Sequence, residues 1–343
     1  MIKIKKITEK RSVYDINVEK NHNFYANNIL VHNCVESFSV TKTPTSWVEE
    51  VKDGNIIRSE SNGLYHSCNL LSINLGVIKT KSQLKRVCKT AVRILDNSID
   101  MGIMPVIEAK NSAEALRNIG IGAVGVADWM AWNKLSYEND DDLKKLEAIF
   151  EEIAWNCYEE SVEIAKEKGS YKLFEYANYD KMFGKDVYEL NRISPNGFKW
   201  SEMSKNIKNN GIRNFLLLAV APNTSTGLLM GSSASYLPPQ SKLSYQTLAE
   251  MSVPVIPKYL KQRYWFYKGK FQYPAHKLIK ATKYIQRWVD TGISMEVPIN
   301  PDLSKINEIS DEIIDGFRKH ELKAVYYCLS VDGDKSGCVD CAN

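Results

Sequence analysis

The sequence lacks any long apolar run. None of its 343 residues lie in an uninterrupted apolar stretch of about 18 residues, the length at which a membrane-spanning helix becomes a candidate. The N-terminus, Met-Ile-Lys-Ile-Lys-Lys, also lacks the apolar core of a secretory signal peptide. We therefore expect a cytoplasmic protein with no membrane contact.

A strong charge excess is also missing. The formal net charge of +4 is small for 343 residues and gives no case for a nucleic-acid-binding surface. Hydrophobic residues make up 44% and charged residues 25% of the chain, which is ordinary for a globular protein. The length allows one large or two ordinary domains with a sizeable core.

The spacing of the cysteines does not indicate a disulfide framework. Seven cysteines are spread irregularly, and in a cytosolic chain this pattern favours catalytic or redox thiols. Cys88 and Cys157 fall at apolar positions of helical segments, so we predict that both lie in the core.

Three consecutive residues, His32, Asn33 and Cys34, combine two kinds of reactivity at one peptide bond. An asparagine amide can attack its own backbone carbonyl and break the next bond, provided that a neighbour such as His32 supplies protons. The Cys34 thiol can accept an acyl chain as a thioester. The tripeptide alone is common, and an exposed loop is the alternative interpretation.

The residues before the tripeptide favour the reactive interpretation. The runs 13–18, 22–27 and 29–34 resemble the C-terminal splicing blocks of inteins, over residues 12–34. The resemblance implies that His22, His32, Asn33 and Cys34 carry out splicing. Because Met1 comes just before these blocks, residues 1–33 resemble the C-terminal half of a split intein, a small all-β (Hint-type) fragment. Its other half would lie on another polypeptide.

The rest of the chain shows mixed α and β patterns. Asp53-Gly54-Asn55 predicts a hairpin turn. Apolar residues at helical spacing between Asp140 and Gly169 predict an amphipathic helix. We further expect strands at 37–41, 211–221 and 323–328, helical structure at 244–290 and 304–322, and surface structure at 170–210.

A glycine-rich run, Gly120-Ile-Gly-Ala-Val-Gly125, matches the dinucleotide-binding fingerprint. That fingerprint requires a preceding strand, whereas residues 112–117 are polar and helix-forming. We therefore predict that these glycines allow close helix packing.

The segment after the cleavage site points to an enzyme. Cys34-Val35-Glu36, followed by the run Ser67 to Gly76 (Ser-Cys-Asn-Leu-Leu-Ser-Ile-Asn-Leu-Gly), resembles the active site of class I ribonucleotide reductase large subunits. The resemblance implies that Cys34 becomes a thiyl radical, that Glu36 takes a proton from the substrate, and that Cys68 is a redox cysteine. The family asparagine before the radical cysteine would come from the N-terminal partner, since Asn33 belongs to the intein.

A candidate phosphate site follows the apolar run 211–221. Pro222-Asn223-Thr224-Ser225-Thr226-Gly227 offers hydroxyl groups and backbone N–H groups that suit a phosphate, although helix capping is the common use of such residues. The resemblance assigns substrate-phosphate binding to Asn223, Thr224, Ser225 and Thr226.

The C-terminal end carries two further features. Tyr326 and Tyr327 match the stacked tyrosines that relay a radical from the small subunit. Cys338 and Cys341 lie in a Gly- and Asp-rich tail, and a pair on a mobile end can exchange with a buried disulfide. A zinc site would need about four ligands, so we predict no metal site. The tight Cys-x-x-Cys spacing departs from many family members.

The resemblance implies an α/β fold, comprising the C-terminal half of a ten-stranded barrel with a finger loop. Its predicted parts are an intein fragment (1–33), the barrel part (34–322) and the tyrosines with the redox tail (323–343). Implied partners are an N-terminal reductase fragment, a small subunit that supplies a tyrosyl radical and dimetal centre, thioredoxin or glutaredoxin, a ribonucleoside diphosphate, and a second large subunit. Two alternatives stay open: a cobalamin-dependent reductase, which has no use for Tyr326 and Tyr327, and a splicing module fused to a non-catalytic extein.

Overall fold

The computed structural model describes residues 23–26, 29–32, 35–52, 55–248 and 251–330. The chain divides into two compact units, Met1–Cys34 and Val35–Asn343. In the first unit, β1 (Asn23–Ala26) pairs antiparallel with β2 (Ile29–His32), with Asn23 opposite His32. β structure was predicted for this segment.

The second unit begins with a hairpin and a helical layer. Strands β3 (Trp47–Lys52) and β4 (Asn55–Ser61) pair antiparallel on either side of the predicted turn at 53–54, as expected. β5 (Leu70–Asn74) leads through a 3-10 turn at Leu75–Val77 into the long helix α1 (Lys81–Met101). The helices α2 (Ile107–Leu116) and α3 (Val126–Trp132) flank β6 (Gly120–Val124).

Helix α4 (Asp140–Lys168) follows the predicted pattern closely. The Asn139 side chain caps it by accepting from two backbone N–H groups, and Gly169 ends it. Its apolar face packs on α1, and Cys88 and Cys157 are both fully buried in the core as predicted.

The remaining elements alternate between short helices and strand pairs. They are β7 (Lys181–Met182), β8 (Lys185–Asp186), α5 (Val187–Ile193), α6 (Trp200–Asn210), α7 (Thr224–Leu229), β9 (Ser244–Leu248), β10 (Met251–Val255), α8 (Leu260–Arg263), α9 (Ala275–Gln286), β11 (Glu296–Ile299), α10 (Ile306–Arg318) and β12 (Tyr327–Ser330). Three more 3-10 turns lie at Phe174–Tyr176, Tyr264–Phe266 and Lys270–Gln272. α9 and α10 fulfil the predictions of helices in their regions.

Parallel chain segments run through the middle of the second unit. β5 pairs parallel with β6, β6 contacts residues 217–220 through a bridge at Ile121 and Leu218, and Val220 bridges to Ile293. Just after that bridge, β11 pairs parallel with β12. Within the described part of the chain these segments form no closed barrel, and the mixture of parallel strands and helices confirms the α/β class.

Several sequence predictions were wrong in detail. Gly120 and Gly122 lie in strand β6, not between helices; a Cβ at Gly120 would come within 2.8 Å of the Ala219 Cβ, so the glycines allow close approach of the neighbouring segment. Residues 244–248 and 251–255 form a pair of antiparallel strands instead of a helix. Residues 37–41 form no strand, and residues 211–221 make only isolated bridges, at Leu218 and Val220. Residues 170–210 are not all surface, because Trp200 and Leu190 are fully buried.

Candidate active site

The centre of the candidate site is the carboxylate of Glu36, which is only 2% exposed. Ser294 Oγ donates a hydrogen bond to Glu36 Oε2. The Glu36 carbonyl oxygen accepts from the Gly292 N–H at 2.7 Å and from Thr291 Oγ1 at 2.8 Å. A buried carboxylate costs free energy unless it is hydrogen bonded. Residues 291–294 supply hydrogen bonds to both the side chain and the backbone carbonyl of Glu36.

A glycine is required where the two segments meet. A Cβ on Gly292 would lie 2.6 Å from the Val35 carbonyl oxygen and 3.0 Å from the Phe38 ring. Contacts of this length force a shift of the backbone. Gly292 therefore allows the chain around Glu36 to lie directly against residues 291–294.

Asp290, just before this stretch, holds residues 217 and 218, which lead to the phosphate-like loop. The partly buried Asp290 carboxylate accepts from the backbone N–H groups of Leu217 and Leu218, each at 2.8 Å, and from the Tyr158 hydroxyl at 3.0 Å. Burial raises the pKa of Asp290, while the two backbone N–H groups oppose this rise. Val220 then donates to the Gly292 carbonyl at 3.1 Å.

Lys323 joins the C-terminal segment to this stretch. Its Nζ donates to the carbonyl oxygens of Val289 at 2.9 Å and Asp290 at 2.8 Å. Burial lowers the pKa of Lys323 to about 8, against the opposing attraction of Asp290. We call residues 289–295 the bracket, because they contact Glu36, the segment 217–220 and the C-terminal segment.

The two predicted relay tyrosines lie at the end of the bracket. The backbone N–H groups of Tyr326 and Tyr327 both point to the Met295 carbonyl, at 2.8 and 3.3 Å. Their ring centroids are 3.8 Å apart with a tilt of 49°, and Tyr327 is 38% exposed. Strand β12 starts at Tyr327, so the strand predicted at 323–328 was placed too early.

The phosphate-like loop has an unusual backbone at its start. Asn223 adopts a left-handed conformation with φ of 55°, immediately before α7. Its side chain is held at both ends, since Nδ2 donates to the Ala221 carbonyl at 2.9 Å and Oδ1 accepts from Ser72 Oγ at 3.1 Å. Thr224, Ser225 and Thr226 form the exposed first turn of the helix. The Ser72 bond ties this loop to β5, which begins two residues after Cys68.

The other predicted site residues are placed only in part. Cys68 is exposed just before β5. His32 ends strand β2. His22, Asn33, Cys34, Cys338 and Cys341 lie outside the described residues.

Sequence reasoning missed the bracket. It gave no role to Asp290, Thr291 or Ser294. The available signal was three hydrogen-bonding side chains in five residues of an otherwise apolar run, because a polar group in a buried segment needs a partner. Which partner each one has cannot be found from a pattern, since Glu36 and Thr291 are 255 positions apart.

No cluster of three or more His, Cys, Asp or Glu side chains in the described part of the chain is arranged to hold a metal ion. None of its helices is both long enough and apolar enough to cross a membrane.

Known proteins are similar to this chain in sequence. Residues 12–328 match the family model described as ribonucleotide reductase, barrel domain. The ribonucleoside-diphosphate reductase subunit alpha of Synechocystis sp. is 36% identical over 299 residues, which cover 81% of this chain and 38% of that protein. The protein of the same name from Helicobacter pylori is 32% identical over 276 residues, covering 77% of this chain and 34% of its own length.

The chain thus spans little more than a third of the length of these relatives. The family match also starts at residue 12, inside the segment that resembles an intein. Because the match extends over most of the chain, the protein belongs to the ribonucleotide reductase barrel-domain family.

Proposed function

We propose that this chain supplies the C-terminal part of a ribonucleoside-diphosphate reductase large subunit, which reduces ribonucleotides to deoxyribonucleotides. The observation that carries the proposal is the bracket. One run of seven residues contacts the Glu36 carboxylate, the segment leading to Asn223, and the backbone of Tyr326 and Tyr327. Acid–base, phosphate-binding and relay groups would need such a common support to act on one substrate.

Each group has a role in the proposed reaction. Cys34, as a thiyl radical, removes a hydrogen atom from the ribose, and Glu36 accepts a proton from a ribose hydroxyl. Cys68, paired with a second cysteine, supplies two electrons as a disulfide forms. Residues 223–226 hold the substrate phosphates. The exposed fraction of Tyr327 and its contact with Tyr326 support entry of the radical from a small subunit through this pair.

The proposed redox cycle is completed by the tail. Cys338 and Cys341 reduce the disulfide formed at Cys68 and are themselves reduced by thioredoxin or glutaredoxin. The tyrosyl radical and dimetal centre belong to the small subunit, so this chain binds no cofactor of its own. The named relatives are alpha subunits, which supports pairing with a second type of subunit.

The proposed complete enzyme needs more chain than is present here. We propose that β5, β6, residues 217–220, the bracket with β11, and β12 form about half of a ten-stranded barrel. An N-terminal fragment would close this barrel and supply the second cysteine that pairs with Cys68. The finger loop would be the segment around Cys34 and Glu36, and the whole enzyme would act in the cytoplasm as a large-subunit dimer.

We also propose that residues 1–33 are a split-intein fragment that joins the two parts by trans-splicing. Support comes from the His32-Asn33-Cys34 tripeptide and its preceding blocks, and from the compact unit that ends at Cys34. In this scheme His22 and His32 assist, Asn33 cyclises to release the intein, and Cys34 first accepts the N-terminal fragment as a thioester.

The experiment mixes the chain with a fragment carrying the other intein half and the N-terminal barrel, and follows masses and deoxyribonucleotide formation. Splicing predicts a ligated product lacking residues 1–33, and reductase function predicts turnover once a small subunit and a reductant are added. Failure of ligation alone would remove the splicing proposal. A ligated protein that turns over with cobalamin and without a small subunit would favour the cobalamin-dependent alternative, and a ligated protein inactive under both conditions would favour a non-catalytic extein.

A further inference from the structure

Ser37 and Ser39, which follow Glu36 closely, each contact a side chain from another segment. Ser37 Oγ lies 2.8 Å from His66 Nε2, and Asn118 Nδ2 donates to Ser39 Oγ at 2.6 Å. The stretch 37–39 is therefore held at two points by side chains from other segments.

The bracket holds the other end of the same stretch. Glu36 is fixed by Thr291, Gly292 and Ser294. His66 comes two residues before Cys68, and Asn118 comes two residues before strand β6, whose first N–H group donates to the Asn69 carbonyl at 2.9 Å. The serine contacts thus connect Glu36 to the chain around Cys68 and to the start of β6.

The surroundings of His66 keep its ring uncharged near neutral pH. Burial lowers the pKa of His66 to about 4. The small pocket beside it is lined by uncharged residues, among them Ser67, Asn69, Ile99 and Asn118. A neutral imidazole has one donating and one accepting nitrogen, so its Nε2 can pair with a hydroxyl in either direction.

Asn118 holds Ser39 at a cost in free energy. It is 8% exposed, its Nδ2 is committed to Ser39, and its Oδ1 is buried without a hydrogen-bond partner. An unpaired buried acceptor costs free energy. Such a cost is tolerated where surrounding structure fixes the side chain for another purpose.

We propose that His66 and Asn118 are positioning residues that set the Glu36 carboxylate through Ser37 and Ser39. This rests on the role of Glu36 proposed above. Neither residue touches the substrate in this scheme. They determine where the stretch 36–39 lies between the bracket and the segment of Cys68, so that their loss lowers the rate of the chemical step and leaves substrate binding almost unchanged.

The test compares His66→Leu, His66→Gln, Ser37→Ala and the double variant His66→Leu with Ser37→Ala, using the full chain and the ligated enzyme. The control is Ser194→Ala, which removes a hydroxyl that accepts from the Phe198 N–H at 2.8 Å in a separate turn. Two quantities are measured: hydrogen exchange of the Gly292 amide, which donates to the Glu36 carbonyl, and kcat with KM for ribonucleotide reduction.

We expect His66→Leu and Ser37→Ala each to speed Gly292 exchange and lower kcat by about tenfold, with KM changed less than about twofold. The double variant should match either single one, because both remove the same contact. Glutamine can place a nitrogen near the position of Nε2, so His66→Gln should restore most of both quantities, and Ser194→Ala should change neither.

Gly292 exchange within twofold of wild type in His66→Leu would overturn the proposal. So would additive effects in the double variant, or a glutamine variant as impaired as the leucine variant. If the wild-type ligated enzyme formed no deoxyribonucleotide, the proposed function would fail, while the Gly292 exchange would still decide whether His66 and Ser37 position Glu36.

Discussion

Asp290→Asn should destabilise the protein far more than its small change in shape suggests. The substitution keeps the volume of the side chain but replaces one acceptor oxygen by an NH₂ group. Both carboxylate oxygens now accept backbone N–H groups, from Leu217 and Leu218 at 2.8 Å each. One of these buried N–H groups would face another donor and lose its partner.

The size of the effect follows from these contacts. A buried donor left unpaired costs about 1 to 3 kcal/mol, and the partly buried Lys323 would lose the opposite charge nearest to it, which adds to the cost. Together we expect a loss of about 2 to 4 kcal/mol in the free energy of unfolding. The matched control is Asp100→Asn, because the Asp100 carboxylate is 46% exposed and its partner, the buried Arg117, keeps its ion pair with Asp96; we therefore expect a loss of about 0 to 1 kcal/mol.

Urea unfolding of the full chain measures both variants, with the slope of free energy against urea compared to confirm the same transition. The pH dependence gives an independent check. Because the pKa of Asp290 is raised in the folded protein, the folded state keeps this proton after the unfolded state has lost it. Stability from this group is therefore present at low pH and is lost as pH rises through the folded pKa, and Asp290→Asn should abolish that loss. A destabilisation equal to that of Asp100→Asn would refute the role given to the bracket.

Three further predictions concern other parts of the chain. Because the pKa of Lys323 is lowered to about 8 from an ordinary 10.5, the free energy of unfolding should rise between about pH 8 and 10.5, and Lys323→Met should remove this rise in thermal melts at each pH. Replacing Cys338 and Cys341 by serine should leave one turnover intact and stop thioredoxin-supported turnover, and a failure of small dithiols to rescue it would exclude the proposed shuttle. Asn33→Ala should stop intein release while a branched intermediate accumulates, which mass spectrometry detects; full excision in that variant would rule out cyclisation at this position.

Local patterns predicted the elements whose signals lie within their own sequence. Helix α4 carries its cap at Asn139, its apolar stripe and its stop at Gly169, and β3 and β4 pair on either side of the residues predicted to turn. The wrong prediction for the glycine-rich run 120–125 has a cause that lies outside the run. Whether Gly120–Val124 is a strand depends on β5 and on residues 217–220, which are remote in sequence, and tertiary pairing overrides local propensity.

In the candidate site, too, local patterns predicted some residues and missed others. The candidate residues Glu36, Asn223 and Tyr327 were predicted from their motifs. Their supports were not, because Thr291 and Ser294 are ordinary polar residues whose roles depend on a partner more than 250 positions away. A hydrogen bond of that span leaves no periodic trace in a sequence.

Deoxyribonucleotide formation by the ligated Tyr327→Phe protein tests the central claim most directly. The substitution keeps the ring and its contact with Tyr326, 3.8 Å between centroids, and removes only the hydroxyl that a radical relay requires. The account predicts that reduction is abolished while the melting temperature changes little and the small subunit still binds. Turnover like that of the wild type, measured beside those two controls, would contradict a relay through this residue and with it the assignment as a radical-dependent reductase served by a small subunit.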